Sequence, residues 1–202
     1  MERSLLSGGY RSVIGVDEVG MACLAGPVTV CAVMLGPEFF RSRHDGLRGL
    51  RDSKLLRPHQ REAYAAELKR EPSLRFCIAS AMPRTIDRLN IFWAARLAMR
   101  RAVRRLAGPD DGCMVLVDGN LPVRGLGMEQ LPVVKGDRKV FTIACASVIA
   151  KVHRDGLMTR YARRYPGYGF EVHKGYPTRM HRERLAALGA TELHRRTFSG
   201  II

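Results

Sequence analysis

The chain has 202 residues, 46% of them hydrophobic, which is enough for one ordinary domain with a buried core. No apolar run is long enough to span a bilayer and the first ten residues lack the apolar segment of a signal peptide, so we expect a cytoplasmic protein with no membrane partner. Lys and Arg number 34 against 19 Asp and Glu, and the net charge of +15 favours a nucleic-acid partner, because a polyanion loses condensed counterions to a basic surface.

Three short segments in the first 81 residues have the apolar, β-branched composition of strands. They are residues 12–16, 27–35 and 74–81. A glycine-containing turn joins the first two, so the pattern predicts an antiparallel meander.

The strongest helical pattern covers residues 85–106, with Thr85 as the N-cap and arginines over much of the non-apolar surface. Strands are predicted at 113–117 and 132–134, and a short helix at 178–188.

Residues 143–160 predict a second long helix, apolar almost all round in its first half and therefore buried. Ser147, Lys151 and Asp155 lie four apart and form one polar stripe on it. We expect residues 1–160 to form a mixed α/β core and residues 161–202 a helical, substrate-binding appendage, the two making one structural unit.

Acidic residues follow two of the predicted strands where each strand ends. Asp17 and Glu18 come directly after residues 12–16, and Asp118 directly after residues 113–117. Adjacent carboxylates repel each other and burial adds to the cost, which a divalent cation would remove. Each acid alone has an ordinary interpretation as a solvated strand end or a helix cap.

If the two strands are neighbours, Asp17 and Asp118 converge at one edge of the sheet. Joined by Glu18 and by Asp155 from the buried helix, they then predict a site for two Mg²⁺ or Mn²⁺ ions about 3.5–4 Å apart, the spacing of two-metal phosphodiester hydrolysis. One ion would activate water and the other would stabilise the leaving 3′-oxygen, which gives 5′-phosphate and 3′-hydroxyl ends. Other chemistries lack their motifs: the sequence has no Cys/His zinc spacing and no Walker A loop.

The same residues carry a resemblance to the ribonuclease HII family, which runs from about residue 13 to 198. Its motifs occur in order, and several together are far more specific than any one. They are residues 15–26 (GVDEVGMACLAG), 52–54 (DSK), 86–103 (IDRLNIFWAARLAMRRAV), 115–120 (VLVDGN), 135–155 (KGDRKVFTIACASVIAKVHRD), 165–176 (YPGYGFEVHKGY) and 194–198 (HRRTF).

The resemblance implies an α/β protein with a ribonuclease H-like fold, a mixed five-stranded sheet flanked by helices. It implies a monomeric endonuclease that cuts the RNA strand of RNA–DNA hybrids and ribonucleotide-containing duplex DNA with Mn²⁺ or Mg²⁺. The implied catalytic and metal-binding residues are Asp17, Glu18, Asp118 and Asp155. Tyr176 matches the family's tyrosine that stacks on the sugar beside the RNA–DNA junction, and Lys54, Lys174 and the basic tail from His194 would lie along backbone phosphates.

One motif departs from the family pattern. Where the family has Gly-Arg-Gly, this chain has Gly20-Met21-Ala22, and in the family that turn senses the ribose 2′-hydroxyl, partly through backbone groups. Backbone contacts can survive the change, but the arginine side chain is lost, and we expect Ala22 to adopt a positive φ less readily than glycine. Hydrolysis is therefore supported, and recognition of a lone ribonucleotide is the open question.

Two further classes of function compete with this interpretation. A non-catalytic basic protein that binds RNA or hybrids would have no use for the four acids, which repel phosphates when no metal is bound. A DNA-directed nuclease or recombinase on the same fold would keep the metal site and lose the hydroxyl-reading turn.

Overall fold

The structure is a computed structural model that describes residues 1–50, 53 and 56–201. Five strands form one sheet in the order β3-β2-β1-β4-β5. They are β1 (Ser12–Val19), β2 (Val28–Leu35), β3 (Leu74–Ala81), β4 (Cys113–Asp118) and β5 (Gln130–Val133). β1, β2 and β3 pair antiparallel, which confirms the predicted meander, and β4 pairs parallel with both β1 and β5. The predicted mixed five-stranded sheet is therefore confirmed.

Helices cover both faces of this sheet. In chain order they are α1 (Glu2–Ser7), α2 (Pro37–Arg41), a 3-10 turn (Asp45–Leu47), α3 (Pro58–Arg70), α4 (Pro83–Leu89), α5 (Ile91–Arg104), α6 (Gly136–Lys139), α7 (Phe141–Arg164), α8 (Phe170–His173) and α9 (Arg179–Leu188). Within the described part of the chain, no helix combines the length and hydrophobicity needed to cross a membrane. All five strands precede residue 160, while the division of the chain after that residue stays a prediction.

The central strands are buried on both faces. Val13 packs in the cluster formed with α7, and its neighbour Ile14 packs in the cluster formed with α5, because successive side chains of a strand point to opposite faces. Gly15 permits the close approach of α7, since a Cβ there would lie 2.4 Å from the backbone of Thr142. The first turn of α7 is fixed from α1, where the buried Glu2 carboxylate accepts hydrogen bonds from the Thr142 backbone N–H (3.0 Å) and hydroxyl (3.1 Å).

The predicted helix over residues 85–106 is two helices, and the single-helix prediction is wrong. Asn90 interrupts it with a φ of 62°, and its side chain accepts a hydrogen bond from the Trp93 N–H at 3.1 Å, which caps α5. The apolar spacing continues across this break, so the periodicity alone did not reveal it. Thr85 consequently lies within α4 and is not an N-cap.

The strand that carries the acidic pair is longer than predicted. The predicted strand covers residues 12–16 and ends before Asp17, but β1 continues to Val19. Asp17 lies opposite Cys31 of β2, and Glu18 lies opposite Val30. Asp118 is likewise the last residue of β4 and does not follow it. The ladder to β2 holds both acids in extended backbone, so adjacent side chains Asp17 and Glu18 leave opposite faces of the sheet.

Candidate active site at the ends of β1 and β4

Asp17 and Asp118 lie at matching positions on neighbouring parallel strands. β1 and β4 pair with Val16 opposite Val117, and the two aspartates are the next residue on each strand. Because both valines belong to the cluster beneath α5, both aspartates point to the opposite face, toward α7. The predicted convergence of the two strand ends therefore follows from the register.

Burial and neighbouring negative charges both raise the pKa of Asp17. Its side chain is only 6% exposed. Burial raises the pKa of Asp17 well above its usual range, and the negative charges of Glu18 and Asp118 raise it further. Hydrogen bonds from the Ser147 hydroxyl of α7 and from the Glu18 backbone N–H oppose this shift. The strand ends thus place the negative charges of Glu18 and Asp118 beside a buried carboxyl group.

A glycine turn orients the carboxylate of Asp118. Its Oδ1 accepts a hydrogen bond from the Gly136 N–H at 2.7 Å, at the start of α6. A Cβ at Gly136 would lie 3.2 Å from that oxygen and 2.6 Å from Ile143 Cδ1. Lys135, in left-handed conformation with a φ of 57°, aims the N–H. Sequence reasoning did not identify Gly136, although it falls in the matched motif at 135–155.

We predict that Gly136→Ala lowers the rate of hybrid cleavage at least about tenfold. The added methyl has no room, and overpacking of this kind costs about 1–3 kcal/mol unless the backbone moves, which would displace the Asp118 carboxylate. Single-turnover cleavage measures the effect. Gly108→Ala is the matched control, because its Cβ would meet only Asp111 Oδ2 at 3.9 Å. Equal rates for both variants would show that Gly136 does not orient Asp118.

Asp155 lies on α7 and is engaged by another side chain. Its Oδ1 is 2.8 Å from Lys151 Nζ, an ion pair in which both side chains are about one-fifth exposed, at 21% and 18%. Both residues face a cleft of about 670 Å³ that Tyr176 and Lys174 also line. The Lys151 ammonium also lies 5.4 Å from the centre of the Tyr176 ring.

The structure therefore places Asp17 within electrostatic reach of both Glu18 and Asp118 and pairs Asp155 with a lysine. Among residues 1–50, 53 and 56–201, no group of three or more His, Cys, Asp or Glu side chains is arranged closely enough to hold a metal ion. The donor set nevertheless fits a hard divalent cation, because all of its ligands are oxygen atoms. Its buried member, Asp17, has a pKa raised by burial and further by two neighbouring negative charges, whose repulsion a cation would relieve.

Arg96 of α5 is a site residue that the sequence analysis treated only as part of a basic helix surface. The negative charges of Glu18 and Asp118 raise its pKa, while its burial lowers it more. Its guanidinium donates to the Leu121 carbonyl at 2.8 Å and lies 5.2 Å from the centre of the Phe92 ring. No spacing rule in the sequence places a helix residue beside two strand ends, so only the tertiary structure reveals it.

The turn at residues 20–22 does not impose the strain expected at Ala22. In the described part of the chain, the non-glycine residues with positive φ are Asn90, Lys135 and Lys174. The left-handed residue of the turn is Gly20, with a φ of 92°, and this chain retains that glycine. The lower tolerance of alanine for a positive φ therefore has no consequence at Ala22, because Ala22 does not adopt one.

The remaining predicted contact residues are spread around the cleft. Lys174 Nζ donates to Thr159 Oγ1 at 2.8 Å and to the Glu171 carbonyl at 2.5 Å, so its ammonium is held at the cleft edge. Lys54 lies outside the described residues. Within the basic tail, Arg195 is not available to phosphates, because it is fully buried, with 0% exposure.

Comparison with known proteins adds a family likeness to this geometry. A family model described as ribonuclease HII matches residues 14–200. The ribonuclease HII of Chlorobium phaeobacteroides is 46% identical over 186 residues, 92% of this chain and 89% of that protein. Among solved structures, the PCNA:RNase HII complex from Archaeoglobus fulgidus has a chain with a TM-score of 0.74 and 25% identity, covering 93% and 95% of the two chains. Bst-RNase HIII in complex with Mn²⁺ has a TM-score of 0.69 and 18% identity over 97% of this chain and 70% of that one, and supports the fold alone.

Proposed function

The chain belongs to the ribonuclease HII family and is thus a ribonuclease H of type HII, and from that premise we propose that it cuts both RNA–DNA hybrids and duplex DNA containing single ribonucleotides. The observation that carries this proposal is the placement of Asp17 and Asp118 side by side at the ends of β1 and β4. A monomer suffices for this activity, because one chain supplies every residue invoked.

Asp17, Glu18, Asp118 and Asp155 are the residues that would hold Mn²⁺ or Mg²⁺. The metal supplies an activated water and stabilises the charge on the leaving 3′-oxygen, so that the products carry 5′-phosphate and 3′-hydroxyl ends. The raised pKa of Asp17 supports this assignment, since burying one carboxylate beside two others that repel it is costly without a cation. Bst-RNase HIII, a structural neighbour, has been solved with Mn²⁺.

The protein side chains bind and orient the substrate around this centre. Ser147 and the Glu18 N–H direct the Asp17 carboxylate, and Gly136 directs that of Asp118. In the cleft, Lys151 orients the Asp155 carboxylate, which would be a ligand of the metal. Lys151, Lys174 and Lys54 provide positive charge for backbone phosphates, and the Tyr176 ring provides a stacking surface for a sugar.

A non-catalytic binding protein is the weaker alternative. Such a protein gains affinity from every phosphate contact, and uncompensated carboxylates beside the phosphates reduce that affinity. No feature of the strand ends favours this alternative over hydrolysis.

The deciding experiment compares two end-labelled duplexes incubated with Mn²⁺ or Mg²⁺. One contains a single ribonucleotide in DNA, and the other is a continuous RNA–DNA hybrid. We expect both to be cut, with 3′-hydroxyl and 5′-phosphate ends, and an all-DNA duplex to remain intact. Cleavage of neither duplex by protein that binds the hybrid would overturn the enzymatic proposal, and cleavage of the all-DNA duplex would favour a DNA-directed nuclease.

A further inference from the structure

The turn that carries Gly20-Met21-Ala22 is held from the protein interior by Arg195. This guanidinium donates three hydrogen bonds to backbone carbonyl oxygens of the turn: to Gly20 at 2.6 Å, to Met21 at 2.9 Å and to Gly26 at 3.0 Å. Arg195 comes from the C-terminal segment, 175 residues beyond Gly20. A guanidinium carries five donors in a rigid planar fork and can reach three carbonyl oxygens spread along a turn, whereas the three donors of an ammonium all radiate from a single nitrogen at the end of a flexible stem.

Arg154 of α7 holds the other end of the same turn. It is also 0% exposed. Its guanidinium donates to the carbonyl oxygens of Ala25 (3.1 Å), Pro27 (3.0 Å) and Lys174 (2.8 Å). A Cβ on Gly20 would lie 2.3 Å from Arg154 Nε, so the glycine backbone packs directly on this side chain. The two arginines together bind five of the turn's carbonyl oxygens.

This arrangement sets the direction of two peptide N–H groups. In a planar trans peptide, the N–H points opposite to the C=O, and the described chain contains no cis peptide. Since the carbonyls of Gly20 and Met21 point at Arg195, the N–H groups of Met21 and Ala22 point away from it. Within the described residues, no hydrogen bond of the protein uses either N–H.

Retaining two buried positive charges here is costly. Among the described residues, neither guanidinium has a carboxylate within salt-bridge distance, and burial lowers the pKa of Arg195 to about 10. Apolar side chains of similar volume often stabilise an interior more than buried charges do. The arginines therefore secure a geometry that packing alone would not specify.

We propose that Arg195, assisted by Arg154, is a positioning residue that fixes the peptide groups of Gly20-Met21-Ala22 so that their N–H groups read the ribose 2′-hydroxyl. This inference rests on the proposed function. In this proposal the backbone N–H groups contact the 2′-hydroxyl, and the arginine clamp, which consists of Arg195 and Arg154, holds them in place. Replacement of the family's central arginine by Met21 therefore leaves discrimination between RNA and DNA in place. The 2′-oxygen accepts a hydrogen bond, which a deoxyribose cannot do.

The test is a ratio of affinities for two duplexes that differ by one hydroxyl. Binding is measured in an Asp118→Asn background, which keeps the substrate intact, for a duplex with one ribonucleotide and for the same duplex in DNA. We expect Arg195→Lys to lower this ratio on the order of tenfold, about the loss of one hydrogen bond to a polar group. Affinity for the all-DNA duplex stays unchanged. Arg196→Lys, on an exposed neighbour, leaves the ratio as it was.

A second measurement records the backbone amide resonances of the unsubstituted chain, in which Arg195 and Arg154 are both present. The amide resonances of Met21 and Ala22 should shift when the ribonucleotide duplex binds and not when the DNA duplex binds. An Arg195→Lys protein that melts normally and keeps the full ratio would overturn the inference, and so would unmoved amides. If Arg195→Lys fails to fold, the amide shifts decide alone. Failure of the chain without any substitution to cut either ribonucleotide substrate would instead remove the proposed function itself.

Discussion

Asp118→Asn is expected to reduce cleavage of an RNA–DNA hybrid by roughly 1,000-fold, with hybrid binding retained. If Asp118 is a metal ligand as proposed, its loss removes several kcal/mol of transition-state stabilisation, and each 1.36 kcal/mol is a factor of ten in rate. The amide oxygen of asparagine can still accept the hydrogen bond from the Gly136 N–H, so the turn before α6 stays in place. Single-turnover rates at saturating enzyme measure the chemical step, and a filter or fluorescence assay measures binding.

The matched control is Asp110→Asn, an exposed aspartate in the loop before β4 that changes the net charge equally. It should cleave normally. Calorimetric titration with Mn²⁺ provides an independent readout: Asp118→Asn should bind the ion more weakly, whereas Asp110→Asn should not. Normal cleavage by Asp118→Asn would refute the metal assignment, and loss of binding along with cleavage would point to a misfolded variant.

Asp17→Asn should have a comparable effect for a different local reason. Asp17 is buried and repelled by Glu18 and Asp118, so asparagine relieves repulsion that the free protein otherwise bears. We therefore expect this variant to lose cleavage and to gain stability when no metal is bound. Residues that only support a fold do not give this combination, because replacing them lowers stability.

The sequence predicted the sheet and the acids at its strand ends well, because both depend on local patterns. β-branched apolar runs specify strands in any context, and carboxylates beside them stand out in a chain with few acids. The register that puts Asp17 beside Asp118 was a conditional expectation, since strand order depends on long-range packing. Asp17 and Glu18 belong to β1 because they pair with Cys31 and Val30 of β2. This pairing outweighs the low preference of acidic residues for strands.

Features that the sequence did not predict involve contacts between distant segments. Asn90 breaks a helix whose apolar spacing is continuous, and Arg96 acquires its role only when α5 packs beside the strand ends. Arg195 lies in a basic tail that composition assigns to solvent, yet it is buried against a turn near the other end of the chain. The sequence predicted a polar stripe that includes Lys151 and Asp155, but it predicted neither the ion pair between them nor their position beside Tyr176.

The segment that carries Tyr176 rests on three buried histidines whose hydrogen bonds require all of them to be neutral. His173 Nδ1 accepts from the Gly175 N–H at 3.1 Å, so its Nε2–H donates to the Tyr168 carbonyl at 2.8 Å. His194 Nδ1 accepts from the Thr191 N–H at 3.0 Å. These assignments follow from the fixed backbone donors, each of which needs an unprotonated ring nitrogen.

The other nitrogen of His194 links it to His181. His194 Nε2–H donates to His181 Nε2 at 3.2 Å, which leaves His181 Nδ1–H to donate to the Tyr176 carbonyl at 2.9 Å. A proton added to His194 would sit on Nδ1 and face the Thr191 N–H. A proton added to His181 would sit on Nε2 and face the His194 N–H. Protonation of either ring therefore breaks a bond in the chain that ends at Tyr176.

Acid is accordingly expected to destabilise the protein through this network. Burial lowers the pKa of His194 to about 4, and the positive charges that His181, Arg196 and His173 carry when protonated lower it further. An unfolded histidine titrates near 6.5, so the unfolded state binds the proton first as pH falls. The stabilisation is complete above about pH 6.5 and is lost as pH falls toward 4. The full loss is about 2–3 kcal/mol for His194, with a further loss from His181, whose pKa burial also lowers.

Urea unfolding at several pH values between 7.5 and 4.5 tests this in comparison with His194→Asn. Asparagine keeps an acceptor for the Thr191 N–H and cannot titrate, so the variant should be less stable at pH 7 and have a flatter acid limb. His59→Asn, on an exposed position of α3, should follow the unsubstituted chain throughout. Parallel curves for the unsubstituted chain and His194→Asn would mean that His194 titrates normally. If the stabilities of the two proteins instead become equal in acid, the neutral state of these rings stabilises the segment that carries Tyr176. The proposed sugar-stacking surface then depends on that neutral state as well.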